Sequence, residues 1–129
     1  MKKLFVSVPM KGRTEENIRK SITKMHKIAE AIMGEELELI DSYVEDNPPK
    51  DSKNSVWYLS KSIEWLAQAD VFITIRDKYE WNGCYIESEV AQRYLEIPVI
   101  YIEEQYVMDD WEEVRKKMYD MAVPCNVRA

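Results

Sequence analysis

The sequence holds one histidine, two cysteines and three glycines in 129 residues. With one His and no Cys cluster, a zinc site has too few ligands, so no metal is expected. Cys84 and Cys125 are isolated thiols without metal-ligand spacing, and a reducing cytoplasm is the expected compartment. Long apolar runs are missing, and Met1-Lys2-Lys3 leads straight into the strand-like Leu4-Phe5-Val6. Neither a signal peptide nor a membrane span is therefore expected. Positive charge is in deficit: 18 Lys and Arg face 24 Asp and Glu, a formal net charge of −6. That balance argues against a nucleic-acid polymer, whose backbone is held mostly by Lys and Arg. It leaves room for a small anion, which one helix end and a few local cations can hold. Neither GxxxxGK[ST] nor GxGxxG occurs, which removes the two common glycine-rich phosphate loops.

What is present is enough for one domain with a core: 46% apolar and 33% charged residues. Lys3 to Val8 reads as a first, central strand. Thr14 reads as a helix N-cap followed by Glu15 and Glu16. Ile18, Ile22, Met25, Ile28 or Ala29, and Ile32 then recur at helical spacing up to a stop at Gly34. Leu37 to Ile40 is a second strand, and the proline-containing stretch 45–54 a loop. Ser55 is a candidate cap for a second helix with Trp57, Leu59, Ile63, Leu66 and Ala67 on its apolar side. Val71 to Ile75 is a third strand and Gly83 to Glu96 a third helix, with Ile86, Val90, Ala91 and Tyr94 as its packed face. Pro98 to Ile102 is a fourth strand and Asp109 to Asp120 a last helix. The tail from Ala122 is irregular or a short edge strand. Alternating strands and helices predict a parallel sheet of four to five strands with helices on both faces, in the order 2-1-3-4. The loops after strands 1 and 3 would then face each other across one crevice, where open α/β sheets bind ligands.

Two segments reach that crevice. The first runs from Ser7 through Pro9, Met10 and Gly12 to Arg13: Gly12 lets the backbone approach a ligand, and Lys11 and Arg13 add charge. Taken alone, the segment fits an ordinary strand-to-helix turn with solvated cations slightly better. The second holds Asp77 and the run Asn82-Gly83-Cys84-Tyr85-Ile86-Glu87. Two carboxylates near one site can divide acid and nucleophile roles, though structural carboxylates fit such positions too. Glu89 competes with Glu87. Two residues apart on a helix, they lie about 200° apart and cannot both face the crevice. Cys84, near a helix start, reads as a small packed residue. His26, among Lys24, Lys27 and Glu30, reads as a solvated surface side chain, which removes a Ser-His-Asp or Cys-His arrangement. Trp57, Tyr58 and Trp65 read as core or interface aromatics, and Tyr79 or Trp81 as residues able to stack on a base.

The segments KLFVSVPMKGRTEEN, ADVFITIRD and GCYIESEVA, followed by IPVIYI, resemble the nucleoside 2-deoxyribosyltransferase superfamily, closest to its small bacterial and phage branch. The resemblance covers most of residues 3 to 102. It implies a Rossmann-like (flavodoxin-like) three-layer α/β sandwich. It also implies cleavage or transfer at the N-glycosidic bond of a nucleoside or nucleoside 5′-monophosphate, with no cofactor. The family pattern G-x-x-x-E-x-x-x-A falls on Gly83, Glu87 and Ala91, which makes Glu87 the nucleophile rather than Glu89. The family's Asp after the third strand corresponds to Asp77, holding the sugar and assisting proton transfer. A 5′-phosphate would lie near Ser7, Gly12 and Ser88, with Pro9, Met10, Asn82 and Gly83 completing the substrate site. Phe5 stands where family transferases usually carry Tyr, and Glu96-Ile97-Pro98 where they carry Gly-Lys-Pro. The resemblance also implies a homo-oligomer, dimer or tetramer, in which Asn126 could complete a neighbour's site. The alternative is a non-catalytic nucleotide or nucleotide-sugar binding module on the same fold. A flavodoxin-like FMN protein is a weaker third reading, because the first loop lacks a Ser/Thr-rich phosphate grip.

Overall fold

The computed structural model describes residues 1–10, 12–41, 48–76 and 82–122, to the backbone alone at Asn82 and 117–122. Four strands form one all-parallel sheet: β1 (Lys3–Ser7), β2 (Glu38–Leu39), β3 (Val71–Arg76) and β4 (Val99–Glu103), in the order β2-β1-β3-β4. Helices α1 (Glu15–Met33), α2 (Asn54–Leu66), α3 (Asn82–Val90) and α4 (Trp111–Ala122) complete an α/β, Rossmann-like sandwich of three layers. The expected strand order is the one found. The expected tail from Ala122 onward falls, past that residue, outside the described residues. Among the described residues no helix is long and apolar enough to cross a membrane.

Strand alternation divides the core. Leu4, Val6 and Val8 of the first strand segment and Val71, Ile73 and Ile75 of β3 point toward α1 and α4, meeting Ile18, Ile22, Met25, Ala29 and Val114. Phe5 and Phe72 point the other way, toward α2 and α3, and stack at 5.9 Å in a second cluster with Leu66, Ala69 and Ala91. Ser7, two residues beyond Phe5, shares this second face. The register pairs it with Thr74 on β3.

The local signals for α1 act as expected. Thr14 accepts a hydrogen bond from the Asn17 amide at 3.1 Å, and Gly34 closes the helix at φ 72°, a left-handed conformation that glycine adopts without a Cβ penalty. Ile32, expected on the packed face, is 59% exposed; Met33, four residues after Ala29, packs against the core instead. At α2 the helix starts one residue before Ser55, which therefore lies inside the first turn and makes no cap.

The largest correction concerns α3. Its packed side carries Cys84, Glu87, Ser88 and Ala91, while Tyr85, Ile86 and Tyr94 face solvent. Hydrophobicity misled the expectation, since the buried stripe there is small and polar. After Val90 the helix widens into a π-helical turn, Ala91–Leu95, that ends at Glu96 with φ 53°. Glu96 thus takes a left-handed conformation at the position where the resembling family has glycine.

Candidate functional site

Arg13 organises the first loop from inside. Its side chain is fully buried and forks onto Asp110, just before α4, with both N–O distances 2.9 Å. The same guanidinium donates to the Pro9 carbonyl at 2.9 Å, the Asn17 carbonyl at 3.2 Å and the Ser21 hydroxyl at 2.8 Å. The sequence reading of Arg13 as a cation offered to a ligand is therefore corrected: each of its three side-chain nitrogens is bonded to protein. The turn it stabilises is closed by the Arg13 amide donating to the Met10 carbonyl at 3.2 Å, with Gly12 at φ 76°. Pro9 is buried, and Met10 packs on the α1 side of the sheet, away from the face that carries Ser7. Lys11 lies outside the described residues.

On the other face, Glu87 is 7% exposed. Its Oε1 accepts a hydrogen bond from the Ser7 hydroxyl at 2.7 Å, and a second comes from the Ser62 hydroxyl of α2. Three elements, β1, α2 and α3, converge on this carboxyl group. Burial raises its pKa from an ordinary 4.5 to about 7, against the opposing pull of the Ser7 and Ser62 hydrogen bonds, which favour the ionised form. Glu89 turns outward and pairs with Arg93 one helical turn on. The choice between the two carboxylates that periodicity left open is thus resolved in space: Glu87 is the one directed at the sheet.

The other expected site residues are placed less uniformly. Ser7 reaches Glu87 directly, so its hydroxyl is engaged by the carboxylate. Ser88 is buried and donates to the Tyr85 carbonyl of its own helix at 2.9 Å. Gly83 is exposed near the start of α3, and Asn82 begins that helix. Asp77, with Tyr79 and Trp81, lies outside the described residues, as does Asn126. His26 is half-buried, not solvated: its Nε2 meets the Leu37 carbonyl at 2.7 Å and ties α1 to the chain entering β2. Cys84 is buried, as a small packed residue should be. Among the described residues no cluster of His, Cys, Asp and Glu could hold a metal ion.

Two residues went unnoticed in the sequence. Ser62 lies on a helix read only for its apolar side, and nothing in its neighbourhood marks a hydroxyl aimed at another helix. Thr74 lies inside a buried strand and looks like an ordinary β-branched core residue. It is 2% exposed, and its Oγ1 has no hydrogen-bond partner among the described residues. Strand alternation, counted from Phe72, does put Thr74 on the Glu87 side, so that signal was available.

Phe5, where the resembling transferases carry Tyr, is buried against Phe72. A hydroxyl to orient the carboxylate comes instead from Ser7, one step nearer the carboxyl end of the same strand face. Chemically, the described residues bring one carboxyl group, Glu87, into a low-dielectric setting beside the Ser7 and Ser62 hydroxyls, with burial raising its pKa to about 7. Such a group can act as a nucleophile when ionised or as a proton carrier. Comparison with family models, with curated proteins and with solved structures finds no match to this chain.

Proposed function

We propose that this chain cleaves, or transfers the sugar across, the N-glycosidic bond of a nucleoside or nucleoside 5′-monophosphate, with Glu87 as the nucleophile. The observation that carries this reading is the Ser7–Glu87 hydrogen bond of 2.7 Å, which fixes a buried carboxylate at the carboxyl end of the two central strands. A fixed carboxylate stabilises the oxocarbenium-like transition state at an anomeric carbon and can trap it covalently. In the first step a Glu87 oxygen bonds to C1′. The C1′–N bond breaks, its electron pair goes to the base nitrogen, and the base acquires a proton. Water, or a second base, then attacks C1′ and frees the carboxylate. The resemblance implies that Asp77 holds the sugar and assists this proton transfer. No step requires a cofactor.

A chromatographic screen of nucleosides and 5′-nucleotides for released base, with wild type and Glu87→Gln side by side, tests the proposal. Release by wild type and none by the variant is the expected result. Wild-type turnover by Glu87→Gln would sink it.

One observation favours the alternative, a nucleotide-binding module without turnover: burial pushes the Glu87 pKa to about 7, so a large fraction of the carboxyl is neutral at that pH. On that reading ligand binding survives Glu87→Gln and no base appears with either protein.

The proposal extends to self-association in the cytoplasm. Val56 and Tyr58 on α2 and Tyr85 and Ile86 on α3 are exposed, and the two helices touch. Sedimentation equilibrium should give a dimer or tetramer that Tyr85→Glu weakens. A monomer at every concentration would dismiss this part alone.

A further inference from the structure

Among the described residues Thr74 is a buried hydroxyl without a partner, and its position says what partner would suit it. Of the other buried polar atoms that lack a hydrogen bond among the described residues, Glu104 Oε1 and Arg115 Nε belong to a single ion pair, off the Glu87 site. Thr74 has no such companion. Buried hydroxyls in folded proteins are nearly always bonded, and exceptions concentrate where a ligand or water completes the set. The register puts Thr74 directly beside Ser7, and strand alternation points both toward α3. Neighbouring strands are about 4.8 Å apart. The orphan hydroxyl is therefore one strand spacing from the hydroxyl that holds Glu87. Glu87 at 7% exposed and Thr74 at 2% exposed are both buried on this face of the sheet.

Stereochemistry supplies the rest. A nucleophile that displaces a β-linked base approaches C1′ from the opposite face of the sugar ring. In a ribonucleoside that face carries the 2′-hydroxyl, on the carbon next to the one attacked. With Ser7 and Ser62 engaged by Glu87, the Thr74 hydroxyl beside Ser7 is the one left to bond that group. A 2′-deoxy sugar presents only hydrogen there and leaves the Thr74 hydroxyl unpaired, which a site built around a polar group rejects.

We infer that Thr74 reads the sugar 2′-hydroxyl, so that the substrate class is ribonucleosides or ribonucleotides rather than their 2′-deoxy counterparts; this rests on the glycosidic-bond reading above. The test measures kcat/KM for base release from adenosine, guanosine, cytidine, uridine and their 5′-monophosphates, each beside its 2′-deoxy and 3′-deoxy counterpart. Wild type, Thr74→Val and Thr74→Ser are compared, with thermal melting as a folding control. Wild type should favour the ribo series over the 2′-deoxy series by about tenfold or more. The near-isosteric Thr74→Val should lose that margin on ribo substrates only, and Thr74→Ser should keep it. Should Thr74→Val fail to fold, the wild-type and Thr74→Ser comparison decides. Equal wild-type rates on both series, an equal loss on both with Thr74→Val, or a dependence on the 3′-hydroxyl alone would overturn the inference while leaving Glu87-dependent base release intact. Absence of base release from every probe would bring down the glycosidic-bond reading, and this inference with it.

Discussion

Replacing Glu87 by Gln should change the pH dependence of stability in a defined direction. In the unfolded chain Glu87 loses its proton near 4.5; in the folded chain burial delays this to about 7. Between those values the folded state binds more protons than the unfolded state, so this group makes the protein progressively less stable as pH rises. Below 4.5 the carboxyl is neutral in both states and exerts no such effect. Above 7 the full penalty is present, and a separation of about 2.5 pH units corresponds to about 3 kcal/mol. Gln has nearly the same shape, accepts a hydrogen bond from Ser7 and carries no charge. The stability of Glu87→Gln minus that of wild type should therefore rise by about 3 kcal/mol between pH 4.5 and pH 8, with most of the change between pH 5 and 7. Urea unfolding of the two proteins across this range measures the difference, and the subtraction cancels other titrating groups. A flat difference would refute the burial argument. A difference that falls with pH would mean that Glu87 is ionised in the folded chain with a lowered pKa, and that the hydroxyl donors outweigh burial. A stabilised variant that has lost base release would show fold stability given up for a reactive carboxylate.

Ser7→Ala removes a donor that favours the ionised form of Glu87, so the acidic limb of a kcat/KM–pH profile, rising through about 7 in wild type, should move to higher pH. An unmoved limb would show that Ser7 does not act on the titrating group. Arg13→Met leaves Asp110 buried without its guanidinium partner and should cost about 3–5 kcal/mol in urea unfolding. A loss below about 1 kcal/mol, the level of a surface pair, would contradict the buried geometry. Glu96→Gly relieves a left-handed non-glycine residue and should stabilise by about 0.5–1 kcal/mol after the entropy that glycine adds to the unfolded chain. Destabilisation would mean that the Glu96 side chain contributes more than its backbone costs.

The site was legible in proportion to how local its signals were. The Thr14 cap and the Gly34 stop depend on backbone geometry within one turn, and both are found as read. The α3 face was misread because hydrophobicity was taken to mark the buried stripe. There the core accepts Cys84, Glu87 and Ser88, and leaves Tyr85, Ile86 and Tyr94 outside. Arg13 looked like a cation offered to a ligand because its counterion, Asp110, is 97 residues away in sequence. Ser62 and Thr74 carried no motif, since a hydroxyl acquires its role only from what is packed opposite it.

The sequence by itself determined the strand and helix order, the parallel sheet with β1 inside it, and the short list of carboxylates at its carboxyl end. Those follow from periodicity, caps and crossover handedness, which act along the chain. Only the tertiary structure decided which carboxylate turns inward, what holds it and how its proton affinity is set. Burial and hydrogen bonding arise where distant segments meet: Ser7 and Glu87 are 80 residues apart in the chain and 2.7 Å apart in the fold.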